Sequence, residues 1–106
     1  MIVTTTNDLP GYQITAVHGM ARGITVRSRS IIGNIGGQIQ SLFGGNLSVY
    51  TNLAETARQE AFDILTRHAE SMGANAVIAM RYDANEIMDG ITEVLAYGTA
   101  VTVARL

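Results

Sequence analysis

The chain has 106 residues, a formal net charge of −2 and a hydrophobic fraction of 47%, which is the size and make-up of one domain able to bury a core. With no cysteine it excludes disulfide frameworks, thiolate zinc sites and cysteine nucleophiles, and all seven basic residues being arginine excludes lysine-dependent chemistry. The acidic balance argues against nucleic acid as a partner, since that affinity comes from Lys and Arg neutralising phosphates.

No stretch nears the roughly 18 apolar residues of a membrane span, and no basic-then-apolar leader opens the chain. A cytoplasmic location is therefore expected, with residues 1–106 forming a single domain. Asn7-Asp8-Leu9-Pro10-Gly11 is a turn by its chemistry. Residues 12–27 then alternate as a strand, with Tyr12, Ile14, Ala16, His18, Met20, Ile24 and Val26 on one side. Gly19 and Gly23 inside it point to bulges or a close backbone approach.

Residues 30–54 carry no charged side chain, and Ile31, Ile32, Ile35, Ile39, Leu42 and Phe43 recur at helical spacing. Gly33, Gly36 and Gly37 each cost such a helix about 1 kcal/mol relative to Ala. The clearest helix covers 53–72, with Asn52 and Glu55 as a capping pair and Gly73 at its C-terminal stop. Its apolar stripe is Ala54, Ala57, Ala61, Ile64, Leu65, His68 and Met72, which predicts a buried His68.

Ala76–Tyr82 reads as a short strand, followed by a polar, solvated connection over 83–90. Residues 91–103 form a longer strand, apolar on both faces, as suits the middle of a sheet. The expected fold is a two-layer α/β domain with a three-stranded mixed sheet, ordered first, last, middle, and the long helix on one face. Such a sheet leaves an uncovered face and two open edges. With the uncharged 30–54 stretch, these predict a homo-oligomer.

Metal ligation has few candidates: His18, His68 and Met20, with Met72 as a further thioether. An imidazole–thioether set suits Cu(I) better than zinc, and two histidines are too few for a closed tetrahedral site. The competing reading is two histidines hydrogen-bonded locally. Asp83, Asn85, Glu86 and Asp89 miss EF-hand spacing, since Met88 and Val94 stand where Gly and Glu are needed. Gly33-Asn34-Ile35-Gly36-Gly37 lacks the Lys of a phosphate loop. No Gly-x-Ser-x-Gly elbow supports catalysis by Ser41 or Ser48 with either histidine, so no catalytic residue is assigned.

Several motifs resemble the YbjQ-like family of small bacterial proteins. They are Met72-Gly73-Ala74-Asn75-Ala76-Val77-Ile78, Arg81-Tyr82-Asp83, and Glu93 through Val101. The opening Met1-Ile2-Val3-Thr4-Thr5-Thr6, Gly44-Gly45 and Ala57-Arg58 match it too. The resemblance implies a dodecin-like subunit in a pentameric ring and carries a heavy-metal-binding label. The family often has Arg after its Gly-Gly pair, where this chain has Asn46. Three functions are open: a non-enzymatic oligomeric binding or scaffolding protein of unknown ligand, a metal binder with its site at a subunit junction, and an enzyme with an inter-subunit pocket.

Overall fold

A computed structural model describes residues 1–28 and 48–106. The expected helix and interface within 30–47 lie outside the described residues. The elements are β1 (Ile2–Val3), β2 (Tyr12–Ser28), a helix α1 (Ser48–Ser71), β3 (Ala76–Met88) and β4 (Ile91–Arg105). They build a two-layer arrangement, one mixed sheet with α1 on one face.

The three-stranded sheet expected from the sequence is corrected: the sheet has four strands, ordered β1-β3-β4-β2. β1 runs parallel to β3, and β4 runs antiparallel to both β3 and β2. Two residues are too short to show a period of two, so β1 has no sequence signature. Backbone pairing alone makes it: Ile2 N–H donates to Asn75 O at 3.3 Å, and Thr4 N–H donates to Val77 O at 3.0 Å.

β3 is also longer than expected, because Asp83–Met88 continues as strand up to a tight turn at Asp89–Gly90. Those residues are exposed, so polar side chains cost the strand little there. Gly90 supplies the positive φ of +77° that the reversal requires.

α1 begins four residues earlier than Asn52, which lies inside the helix and accepts from Thr56 Oγ1 at 2.9 Å through its carbonyl. The end is sharp. Gly73 has φ +90°, Gly73 N–H reaches Glu70 O and Ala74 N–H reaches Ala69 O, a Schellman stop.

The helix buries Ala57, Ala61, Leu65 and Ala69 against Ala21, Val94, Ala96 and Ala100 of the sheet. That i, i+4 row is turned from the expected stripe, so Ala54 and His68 are exposed. The small side chains let α1 come down onto β2 at Gly23, where a Cβ would stand 2.1 Å from Ala61 O. On the opposite face, Leu9, Tyr12 and Ile14 pack over Ala76, Ile78, Val101 and Val103. The rest of that face is free of helix among the described residues.

Candidate functional site

His18 is the extra residue of a β-bulge, lying between the pairs Val17–Val101 and Gly19–Ala100. Gly19 follows at φ +114°, a conformation that a side chain disfavours, so the glycine makes the bulge possible. The bulge turns His18 toward β4, where Nε2 lies 2.7 Å from Thr102 Oγ1. Thr102 Oγ1 is 3.4 Å from the carbonyl of Gly73, at the end of α1. Met72 meets the same corner: a Cβ on Gly19 would stand 3.9 Å from Met72 Cε, and one on Gly73 3.9 Å from His18 Cε1.

Met20 stands two residues on, opposite Thr99 and 60% exposed. The buried His68 expected from the helix stripe is corrected, since its ring is exposed at the edge of β2. There Nδ1 accepts the backbone N–H of Arg22 at 3.1 Å, which places the proton of the neutral ring on Nε2. The ring covers one donor on the outer edge of β2.

These residues do not converge on one ion. His68 is tied to Arg22, four residues along β2 from His18, or about 13 Å of strand. Zinc–nitrogen bonds are about 2.0–2.1 Å long. Among the described residues no three of His, Cys, Asp and Glu group to hold a metal. Within one subunit the donor set does not fit a heavy-metal ion; His18 and Met72 border one corner at Gly19 and Gly73.

Two depressions were not legible in the sequence. On the face opposite α1, Met20, Ile24, Leu95 and Tyr97 floor a cavity of about 330 Å³ rimmed by Arg22, Asp83 and Glu93. On the helix side, a cleft of about 200 Å³ lies among Tyr50, Leu53, Ala57, Arg58 and Val94. Beside it Glu60 accepts from Thr25 Oγ1 at 3.0 Å and pairs with Arg27. Arg58 lies over the Tyr82 ring, 5.4 Å from its centroid. Burial holds the Tyr82 phenol above its usual pKa; Glu55 and Asp63 add to this, and Arg58 opposes it.

Residues 1–104 match a family described as "Putative heavy-metal-binding". A UPF0145 protein of Solibacter usitatus is 58% identical over 101 residues, covering 95% of this chain and 90% of its own length. One from Chromobacterium violaceum is 57% identical over 105 residues, covering 99% and 90%. A Burkholderia thailandensis relative is 58% identical over 104 residues, covering 98% and 94%. A solved structure from Pediococcus pentosaceus, of a protein with unknown function, superposes with a TM-score of 0.59. At 19% identity and 98% coverage of both chains, it bears on fold alone. No helix among the described residues is long and apolar enough to cross a membrane.

Proposed function

We propose that this chain, which belongs to the YbjQ-like family matched along residues 1–104, is a binding or scaffolding subunit that works in the bacterial cytoplasm as a homo-oligomer. The observation that carries this reading is a pair of strand edges on opposite sides of one sheet that carry no further strand among the described residues. β2 is an edge strand 17 residues long, with Val17, Met20, Ile24 and Val26 exposed along it. At the other side β1 covers only the start of β3, leaving the outer edge of Tyr82–Met88 without a strand among the described residues. Long apolar edges recruit partners.

β2 and β3 both oppose β4, so they run parallel to each other. The β2 edge of one copy against the β3 edge of the next repeats head to tail, and such a contact forms a ring where the rotation between copies closes. The family resemblance supports five copies. Sedimentation velocity at micromolar concentration tests this, with a species five times the 11.3 kDa chain mass expected. Arg22 N–H points outward to His68, so the Val26 N–H, an even four residues on with no bulge between, points outward as well. Val26→Pro removes that donor without breaking a bond to β4, and is expected to shift the protein to smaller species. A wild-type monomer would refute the reading.

A second reading is favoured by the corner where His18 and Met72 meet Gly19 and Gly73. There a soft ion takes one imidazole and one thioether from each subunit, and the ring supplies the remaining ligands at a junction. Titration with Cu(I) and Zn(II) tests it. Loss of Cu(I) binding in both His18→Ala and Met72→Leu is expected, with His68→Gln unaffected.

A further inference from the structure

On the face opposite α1 the register stacks three rows across the strands. Arg22, Tyr97 and Arg81 form the first; Ile24, Leu95 and Asp83 the second; Val26, Glu93 and Asn85 the third. The cavity lies across them, and its volume of about 330 Å³ falls within the usual range of small-molecule sites, about 300 to 1,000 Å³. Arg81 is turned away, with Nη1 donating to the carbonyls of Thr5 and Met80 at 2.9 and 2.8 Å. That leaves one cation and two anions around an apolar floor.

Among the described residues, Arg22, Asp83 and Glu93 make no ion pair with one another. The sheet explains the separation. Arg22 and Asp83 belong to the strands on either side of β4, about 10 Å apart, and are offset by one row. Asp83 and Glu93 are diagonal neighbours, about 7–8 Å apart. Opposite charges held apart over one apolar floor can be joined by a ligand that carries both.

We propose that this cavity binds a free apolar α-amino acid as its zwitterion. Its carboxylate meets Arg22, its ammonium lies between Asp83 and Glu93, and its side chain lies on Ile24, Leu95, Tyr97 and Met20. An α-amino acid places its nitrogen about 2.5 Å from the carboxyl carbon. Two hydrogen bonds of about 2.9 Å bring the span to roughly 8 Å, within reach of the long Arg22 side chain. A simple carboxylate meets two acids at one end, and a simple amine leaves Arg22 unused. The inference rests on the binding-protein reading above and names its ligand class; among the described residues the edges assigned to assembly leave this face uncovered.

Isothermal titration with L-leucine tests it, beside 3-methylbutylamine and 4-methylpentanoate, which each keep one of the two charges. L-leucine is expected to bind, and each analogue to bind at least about ten-fold more weakly. Arg22→Gln and Asp83→Asn are each expected to weaken L-leucine at least about ten-fold. Both side chains are exposed, and circular dichroism confirms that the variants fold. Absence of binding by L-leucine, L-methionine and L-phenylalanine at about 10 mM would overturn the proposal, as would equal binding of 3-methylbutylamine. The mass of the same sample separates the two readings. An assembled protein that ignores the amino acids refutes only the ligand, and a monomer that binds L-leucine refutes only the ring.

Discussion

Replacing Gly23 by alanine is the most direct challenge to the way α1 meets the sheet. The added Cβ stands 2.1 Å from Ala61 O, 2.5 Å from Leu65 N and 3.0 Å from Ile64 Cβ. Two of these obstacles are helix backbone, which cannot swing aside, so α1 must retreat by roughly 1 Å from a close-packed contact. The retreat loosens Ala57, Ala61, Leu65 and Ala69 together, since all four seat on the same surface. Overpacking costs about 1–3 kcal/mol, and a backbone obstacle belongs at the top of that range. Against this, removing a strand glycine returns about 0.5–1 kcal/mol. The net loss is about 2 kcal/mol, or a fall in Tm of roughly 8–16 °C for a domain of this size. Urea unfolding followed by circular dichroism measures it, with Gly11→Ala as the control. Gly11 has φ +84° and nothing within 4 Å of its built Cβ, so that variant loses only about 1 kcal/mol to the left-handed backbone. A Gly23→Ala protein no less stable than Gly11→Ala would refute the close approach.

Ala61→Asp buries an unpaired carboxylate at a fully buried position and is expected to cost at least about 3 kcal/mol. Asp63→Ala, on the exposed side, changes stability by no more than about 0.5 kcal/mol by the same denaturation assay. Hydrogen exchange checks His68: the Arg22 amide is protected in the wild type and in His68→Gln but exchanges faster in His68→Leu, which has no acceptor. The raised pKa of Tyr82 gives a sign at alkaline pH. Its contribution is intact below the unfolded tyrosine pKa of about 10 and is lost as pH rises from there through the raised folded pKa, because the unfolded chain releases the proton first. Urea midpoints at about pH 9 and pH 11 should therefore differ less in Tyr82→Phe than in the wild type.

The parts of the fold that were legible are those where burial repeats along one element. Leu95, Tyr97, Val101 and Val103 alternate with Val94, Ala96 and Ala100, and β4 lies between two other strands. Gly73 after a long amphipathic run marks a helix stop, and its positive φ makes one. Polar residues misled the reading of β3. Asp83–Glu86 look like a loop because strands are identified by apolar alternation, yet an exposed strand paired to β4 needs only backbone bonds. His68 was misplaced for a related reason. A stripe counted at about 100° per residue has broad shoulders. The small row Ala57, Ala61, Leu65 and Ala69 settles closer to the sheet and leaves the shoulder outside.

The candidate site was less legible than the fold, because its chemistry is made by register rather than by motif. His18 attracts notice as a histidine, but its role follows from being the one residue β2 carries in excess at that point of the ladder. Without the bulge the ring would follow the alternation of the strand. With it, the ring swings to the Thr102 hydroxyl and the end of α1. The same holds for Arg22, Asp83 and Glu93, three unremarkable charges on three strands in the linear chain. Only the pairing of Arg22 with Tyr97 and of Asp83 with Leu95 puts them around one apolar floor. A one-residue slip of β3 on β4 would send Asp83 to the helix side and dissolve the arrangement. The two-for-one bulge at Ala79–Met80, opposite Gly98, guards against that slip. It is held by Ala79 N–H to Thr6 O and Met80 N–H to Thr4 O, and a Cβ on Gly98 would stand 2.6 Å from Val77 Cγ1. The N-terminal segment that follows β1 is thus part of what fixes the rim of the cavity.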